Sequence, residues 1–145
     1  MNEALHFIRK AILTRLTDAI SIGGSYVPVY NRVPSDASEP YIRVFSVSNN
    51  ESDFNATSFI SECVTRLEVV TAFDSDSGGE LQSNQIVSSI LNLVRTRSSG
   101  YYDLSSDGFK VITCTNGGVT YFEDDLEDKT YFRAIVEISN KIEKI

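Results

Sequence analysis

The sequence predicts a single α+β domain, with a mostly antiparallel mixed sheet and two helices packed on one of its faces. Two segments repeat apolar residues at helical spacing, and the segments between them alternate apolar and polar residues. The chain has 145 residues, without an internal repeat or an interdomain linker, and this length is enough for one domain with a sizeable core. We therefore expect residues 1–145 to fold as one unit.

Both helices are predicted from their apolar spacing. The first stripe predicts an amphipathic helix over residues 3–20, ended by Gly23-Gly24, and consists of Leu5, Ile8, Ile12, Leu16 and Ile20. A second stripe, from Ile86 to Val94, predicts a helix that runs from Glu80 to about Arg97. Ser77 and Glu80 have the spacing of a capping box at its start.

Three strands are predicted between the helices, and three after them. The first group comprises residues 26–30, residues 41–47 and a long strand at 59–73, with an exposed loop or hairpin tip at 48–58. In the second group, Asn116-Gly117-Gly118 indicates a hairpin turn between strands at 109–115 and 119–123. An acidic turn at 123–128 then leads into a last strand with an alternating inner face, formed by Phe132, Ala134, Val136 and Ile138.

The charge and the cysteines limit the classes of function. The formal net charge of −7 argues against a surface that grips a phosphate backbone, but an acidic surface can line a channel through which DNA slides. Acidity is equally common in ordinary cytoplasmic proteins. The start of the chain lacks a signal-peptide pattern, so we expect the protein to be made and used in a reducing cytoplasm. Cys63 and Cys114 match no zinc or redox spacing and are expected to be buried free thiols, with a disulfide left open.

No motif indicates an enzyme, a cofactor or a metal site. His6 is the one histidine, and nothing near it in the sequence resembles a nucleophile motif. The paired glycines fit neither dinucleotide-binding nor phosphate-loop patterns. The acidic residues near the last strand are interpreted as a solvated turn or, alternatively, as a charged rim or lumen surface of an assembly: Glu123, Asp124, Asp125, Glu127 and Asp128.

The polar segment at 48–58 is a candidate partner surface. The aromatic residues Phe54 and Phe59 bracket it, and exposed aromatic residues in a loop often mark an interface. Alternatively, both phenylalanines pack into the core. The candidate interface residues are Asn49, Asn50, Glu51, Asp53, Phe54 and Phe59.

The most informative motif is Val29-Tyr30-Asn31-Arg32-Val33-Pro34, followed by Pro40-Tyr41. Proline fixes φ and donates no hydrogen bond, so both prolines suit the borders of strands around a stiff loop. In this position after an amphipathic helix, the motif resembles that of the tail-completion or tail-terminator proteins of long-tailed bacteriophages. The order of the later elements agrees, with a long strand before the second helix and Thr130-Tyr131 at the start of the last strand. The residues that carry the motif are Val29, Tyr30, Asn31, Val33, Pro34, Pro40 and Tyr41.

The resemblance implies a structural virion protein, assembled in the host cytoplasm, that forms a ring at the head-proximal end of the tail tube. Such rings typically have six subunits, stop the polymerisation of the tube and provide the docking surface for the head connector. The implied partners are further copies of the chain, the tail tube protein and the connector or stopper protein, while DNA passes through without specific binding. Two alternatives stay open, namely a head-completion or stopper protein of the neck and a small-ligand-binding α+β domain.

Overall fold

Five strands of very unequal length form the main sheet of the computed structural model, which describes residues 3–54, 59–75, 77–95, 102–126 and 128–145. The strands are β3 (Val29–Tyr30), β4 (Tyr41–Phe54), β5 (Phe59–Asp74), β6 (Phe109–Leu126) and β7 (Lys129–Lys144). Their spatial order is β3-β4-β5-β7-β6, with β3 parallel to β4 and every other neighbouring pair antiparallel. A separate hairpin of β1 (Ser21–Ile22) and β2 (Ser25–Tyr26) turns at Gly23-Gly24, where both φ angles are positive.

The long strands give the sheet its shape. β5 and β7 have 16 residues each, and β5 pairs with β7 along its whole length, from Phe59 with Lys144 to Asp74 with Lys129. At about 3.3 Å per residue, such a strand is about 50 Å long. The alternation predicted for the last strand is confirmed, because Phe132, Ala134, Val136 and Ile138 are buried while the residues between them are half-exposed.

Both helices pack on one face of this sheet, so the predicted α+β class is confirmed. α1 (Leu5–Leu16) lies on β4 and β5, and α2 (Leu81–Val94) lies on β5 and β7. Each fully buried aliphatic side chain stabilises the fold by about 1.5–3 kcal/mol. From the helices, the core takes Ile8, Ile12, Leu16, Ile86, Ile90 and Val94, and from the sheet it takes Ile42, Val44, Leu67, Val69, Ala134, Val136 and Ile138. In the described part of the chain, the opposite face carries no helix; it is called the open face below.

The helix boundaries differ from those predicted. α1 ends at Leu16, because Thr17 is extended and Asp18 has a positive φ of 54°, although Ile20 is still buried. α2 begins at Leu81 without a capping side chain, and Arg95 has already left the helical conformation. The predicted capping box is wrong, since the Ser77 hydroxyl instead donates to the carbonyl of Asp74 at 2.7 Å.

Two predicted loops are parts of strands. The segment predicted as an exposed loop at 48–58 belongs to β4 as far as Phe54, while residues 55–58 lie outside the described part. The segment at 26–30 is split into β2 and β3 by Pro28, which has no amide hydrogen to donate.

The hairpin turn predicted at Asn116-Gly117-Gly118 is also wrong. β6 runs straight through it, with Asn116 opposite Ile138 and Gly118 opposite Glu137, so Gly117 is the extra residue of a β-bulge. The second half therefore contains two long strands instead of three short ones. The acidic turn is largely strand as well, because residues 123–126 still belong to β6.

Candidate functional site

Both edges of the main sheet have stretches that no described strand covers. β6 forms one edge and pairs with β7 alone along its 18 residues. β4 forms most of the other edge, because β3 pairs only with Ile42 and Arg43. The Asn31 side chain adds one bond there, donating to the carbonyl of Val44 at 2.8 Å. Uncovered edges present backbone N–H and C=O groups to which another chain can add a strand.

The free edge at β6 also exposes apolar side chains. From residue 115 onward, β6 has no buried residue on either side. Phe122 is 45% exposed and Leu126 is 53% exposed on the open face, and Tyr121 is 38% exposed on the helix side. An uncovered edge flanked by apolar side chains is a usual place for protein–protein contact.

Charged side chains cross the open face in an alternating order. Arg43 lies opposite Glu68 in the β4–β5 register, and Arg133 Nη1 is 3.8 Å from Glu68 Oε2. Arg133 Nε is also 3.0 Å from Asp124 Oδ2, in an ion pair without hydrogen-bond geometry. These four residues, here called the charge ribbon, run from β4 to β6 with the signs plus, minus, plus and minus.

A third ion pair lies beside the two of the charge ribbon. Arg66 Nε donates to Glu137 Oε2 at 3.1 Å, across β5 and β7. Both side chains remain more than one-third exposed, so the pair contributes little to stability. Its effect is to leave the centre of the open face close to neutral, although the chain as a whole is acidic.

The residues of the phage-like motif lie beside the start of β4. Val29 and Tyr30 form β3, Val33 and Pro40 are half-buried, and Pro34 is exposed. The rings of Tyr30 and Tyr41 meet edge to face with their centroids 6.2 Å apart. Burial and the nearby Glu68 carboxylate raise the pKa of Tyr41. In this corner, Arg32 and Arg43 line one shallow bay together with Asn31, Val33, Tyr41 and Glu68.

The predicted interface residues lie at the far end of β4 and the start of β5. Asn49 faces the helix side and donates to Glu3 Oε1 at 2.8 Å, while Asn50 and Glu51 are exposed. The backbone of Asp53 and Phe54 belongs to β4, and their side chains lie outside the described part. Phe59 begins β5 and is 44% exposed, so it does not pack into the core.

The acidic residues lie at the opposite end of the sheet. Glu123 and Asp125 are on the helix side, where Asp125 accepts a hydrogen bond from the Thr130 hydroxyl at 2.7 Å, and Asp124 is on the open face. The carbonyl of Asp128 accepts from the amide of Ser75 at 3.0 Å, and Glu127 lies outside the described part. About 50 Å of strand separates this end from Phe59, so the two predicted surfaces do not meet within one chain.

The histidine and the acidic residues that were considered as catalytic or metal-binding groups lie apart in the fold. His6 is exposed on α1 and lies against the ring of Phe7, with centroids 3.8 Å apart. Among the described residues, no group of three metal-ligating side chains converges. Glu80, Glu123 and Asp125 share a bay with the glycines that precede α2, in an arrangement typical of a solvated acidic surface.

Cys63 and Cys114 are buried free thiols, as predicted. Both pair with Asn140 in the sheet register, on either side of β7. Two strand spacings of about 4.8 Å put their Cα atoms beyond the limit of about 7 Å for a disulfide, so the alternative left open by the sequence is excluded. Burial raises the pKa of the Cys63 thiol to about 11.

The sequence did not single out the free edge at β6 or the charge ribbon. Both depend on which strands are neighbours and in which register, and one sequence does not reveal this. A partial signal was present, because Arg133 and Glu137 occupy outward positions of the last alternating strand.

Comparison with protein-family models found no match for this chain, and a search of curated proteins found none either. Within the described residues, neither helix has the length and hydrophobicity needed to cross a membrane.

Proposed function

We propose that this protein is a subunit of a closed ring that terminates the tail tube of a long-tailed bacteriophage. The proposal combines the resemblance of the Val29–Pro34 motif with the geometry of the sheet. In this role the chain binds further copies of itself, the end of the tail tube and the connector protein of the head.

The observation that carries the proposal is the pair of free edges on one sheet. Three antiparallel steps lead from β4 through β5 and β7 to β6, so β4 and β6 run in opposite directions. If a second copy continues the sheet sideways, β6 of one copy therefore meets the part of β4 that β3 leaves uncovered in the next copy, in antiparallel orientation. Antiparallel pairing at both edges of each copy needs no change in the fold of the subunit.

Such a contact uses two different surfaces of each subunit. A contact of this heterologous kind closes into a ring when the rotation between neighbours fits, and otherwise continues as a filament. Pairing around a ring also covers every free strand edge, which leaves no template for aggregation. The resemblance supplies the number of subunits, typically six.

The acidic composition suits a passage for DNA. A ring of these subunits is strongly acidic because each copy has a formal charge of −7, and like charge discourages the phosphate backbone from sticking. We place the rims of the ring at the two ends of the sheet, with Phe59 and its neighbours at one end and the Glu123–Asp128 region at the other.

Electron microscopy of lysates tests this function, using a phage that encodes the chain and a derivative that lacks only this gene. Loss of a terminator is expected to give overlong, headless tubes, because nothing stops polymerisation. A plasmid copy of the intact gene is the control and is expected to restore tails of normal length.

Other results would point to the alternatives. Tails of normal length beside unjoined heads would contradict a terminator and favour a stopper protein of the neck. Normal infectious particles would contradict any essential role in the virion and return attention to ligand binding.

A further inference from the structure

We propose that the charge ribbon continues from one copy of the chain to the next, with Asp124 of one subunit against Arg43 and Arg32 of its neighbour. This inference rests on the proposed ring and names the side chains that hold its subunits together. The partner is a second copy of this chain, and the contact is ionic, between the β6 edge and the corner of the sheet where β3 covers the start of β4.

The ribbon has ends of opposite charge. Its β4 end carries Arg43 and the nearby Arg32, which share one bay and are both exposed. Among the described residues, three ion pairs form, and neither of these arginines belongs to one. The Arg43 guanidinium instead lies over the ring of Phe45, 4.5 Å from its centroid. This end therefore presents positive charge to a neighbour.

The β6 end is negative and accessible. Asp124 contacts Arg133 of the adjacent strand, and 47% of its side chain is still exposed. A carboxylate accepts several bonds at once, so a second arginine can bind it without displacing the first. An arginine from a neighbour would then extend the alternation of signs by one further step.

The ribbon crosses the sheet at an angle. The row of residues level with Arg43 continues through Glu68 and Ile135 to Thr120, and Asp124 lies four positions beyond Thr120 along β6. A stagger of about four residues between neighbouring subunits brings Asp124 level with Arg43 of the next copy. At that level β3 lies outside β4, because it pairs with Ile42 and Arg43, so the contact is made by side chains that reach past β3 and not by strand pairing with β4. Closure of a sheet into a barrel-like ring requires a regular stagger of this kind.

The signs also select the type of contact. β6 against β6 would bring two Asp124 carboxylates together, and β4 against β4 would oppose two arginine clusters. Only the β6-to-β4 contact pairs opposite charges, so the ribbon favours the heterologous contact that a ring needs. Charge complementarity of this kind mainly affects specificity and the rate of association.

A charge swap between two variants tests the contact. One variant is Asp124→Arg, and the other combines Arg32→Glu with Arg43→Glu. Alone, each variant places like charges at every contact, and we expect the dissociation constant between subunits to rise about tenfold at low salt. The difference should shrink in about 1 M salt, where the Debye length is about 3 Å. Sedimentation velocity measures the association.

Mixing the two variants is the decisive step. In an alternating ring, every contact again joins an arginine and a carboxylate, so a 1:1 mixture should regain assembly close to that of the unmodified chain. Native mass spectrometry should find equal numbers of both variants in each ring. Asp107→Arg is the control, because it makes the same change of net charge on the helix side and should assemble normally.

Two results would overturn the inference. Single variants that assemble as tightly as the unmodified chain would show that these charges do not meet. A mixture that stays dissociated, although thermal melts show both variants folded, would exclude their pairing. Failure of the ring proposal itself differs from both, because the unmodified chain would then form no closed oligomer at any concentration.

Discussion

Asn140 is fully buried in the middle of β7, and both of its polar groups have partners. Its Oδ1 accepts a hydrogen bond from the Tyr102 hydroxyl, and its Nδ2 donates to the carbonyl of Thr113 at 3.1 Å. Burial raises the pKa of Tyr102, so its hydroxyl remains a donor across the ordinary pH range. The Arg15 guanidinium lies over the Tyr102 ring, 5.5 Å from its centroid, and so connects α1 to this group.

Removing the Tyr102 hydroxyl should therefore destabilise the protein. We expect Tyr102→Phe to lower the free energy of unfolding by about 1–3 kcal/mol, because Asn140 Oδ1 is left buried without its donor. Urea denaturation followed by circular dichroism measures the change.

Tyr26→Phe is the matched control for this substitution. Tyr26 is 62% exposed, and its variant should stay within about 0.5 kcal/mol of the unmodified chain. Equal stabilities for the two variants would contradict the importance of the buried hydrogen bond.

At the scale of elements, the sequence predicts the inner faces well and the ends poorly. The inner positions of β7 follow from simple alternation, because burial on one side of a sheet imposes a period of two. Asn140 occupies one of these inner positions between Ile138 and Ile142, but its partner Tyr102 is 38 residues away and has no local signal. The class of the fold was predictable because it depends on local alternation, whereas the pairing of Asn140 with Tyr102 depends on a contact between distant segments.

Asn116-Gly117-Gly118 shows why the length of β6 escaped prediction. Glycine permits the unusual φ of a tight turn and equally that of a bulge, and Gly118 has a φ of 135°. A tight turn and a bulge therefore place similar demands on the residues of this segment. The continuous pairing of β6 with β7 on both sides of the bulge decides between them, and this information lies outside the segment.

Gly78 is a position where the backbone strictly requires glycine. Its φ is 88°, and a Cβ atom there would collide with the Phe73 ring. We expect Gly78→Ala to lower the free energy of unfolding by about 1–3 kcal/mol, because strain and overpacking both act against it. Thermal or urea unfolding measures the loss.

The neighbouring Gly79 offers the matched control. A Cβ atom at Gly79 would meet nothing within 4 Å, so Gly79→Ala should be close to neutral. A comparable loss in both variants would mean that the segment before α2 is sensitive to any side chain, and would contradict the specific clash with Phe73.

At the scale of the whole molecule, the main feature is a sheet with long strands and partly uncovered edges. Soluble proteins usually blunt a long edge with proline, lysine, a bulge or a covering element. β6 has bulges near Ile112 and Gly117, but from Val119 to Leu126 it is regular, without lysine or proline, and its charges are confined to Glu123, Asp124 and Asp125. An oligomer that pairs this stretch of β6 with a second strand removes the hazard of uncontrolled edge-to-edge association.

Introducing a lysine into this stretch of β6 tests whether the edge is an assembly surface. Phe122 is 45% exposed at the edge, and we expect Phe122→Lys to weaken the association of subunits at least about tenfold. The lysine removes apolar contact and must lose water when a second strand approaches. Sedimentation velocity over a range of concentrations gives the dissociation constant.

Tyr26→Lys is the control for Phe122→Lys, because Tyr26 is an exposed aromatic residue on the separate β1–β2 hairpin rather than on the edge of the main sheet. It should leave the association unchanged, and circular dichroism should show both variants folded. An equal effect of the two substitutions would mean that exposed aromatic residues cause nonspecific association, and no effect of either would exclude this part of β6 from the contact. A selective loss with Phe122→Lys would locate the subunit interface at the β6 edge before any ring is imaged, because Phe122 lies on a free edge of the main sheet and Tyr26 does not.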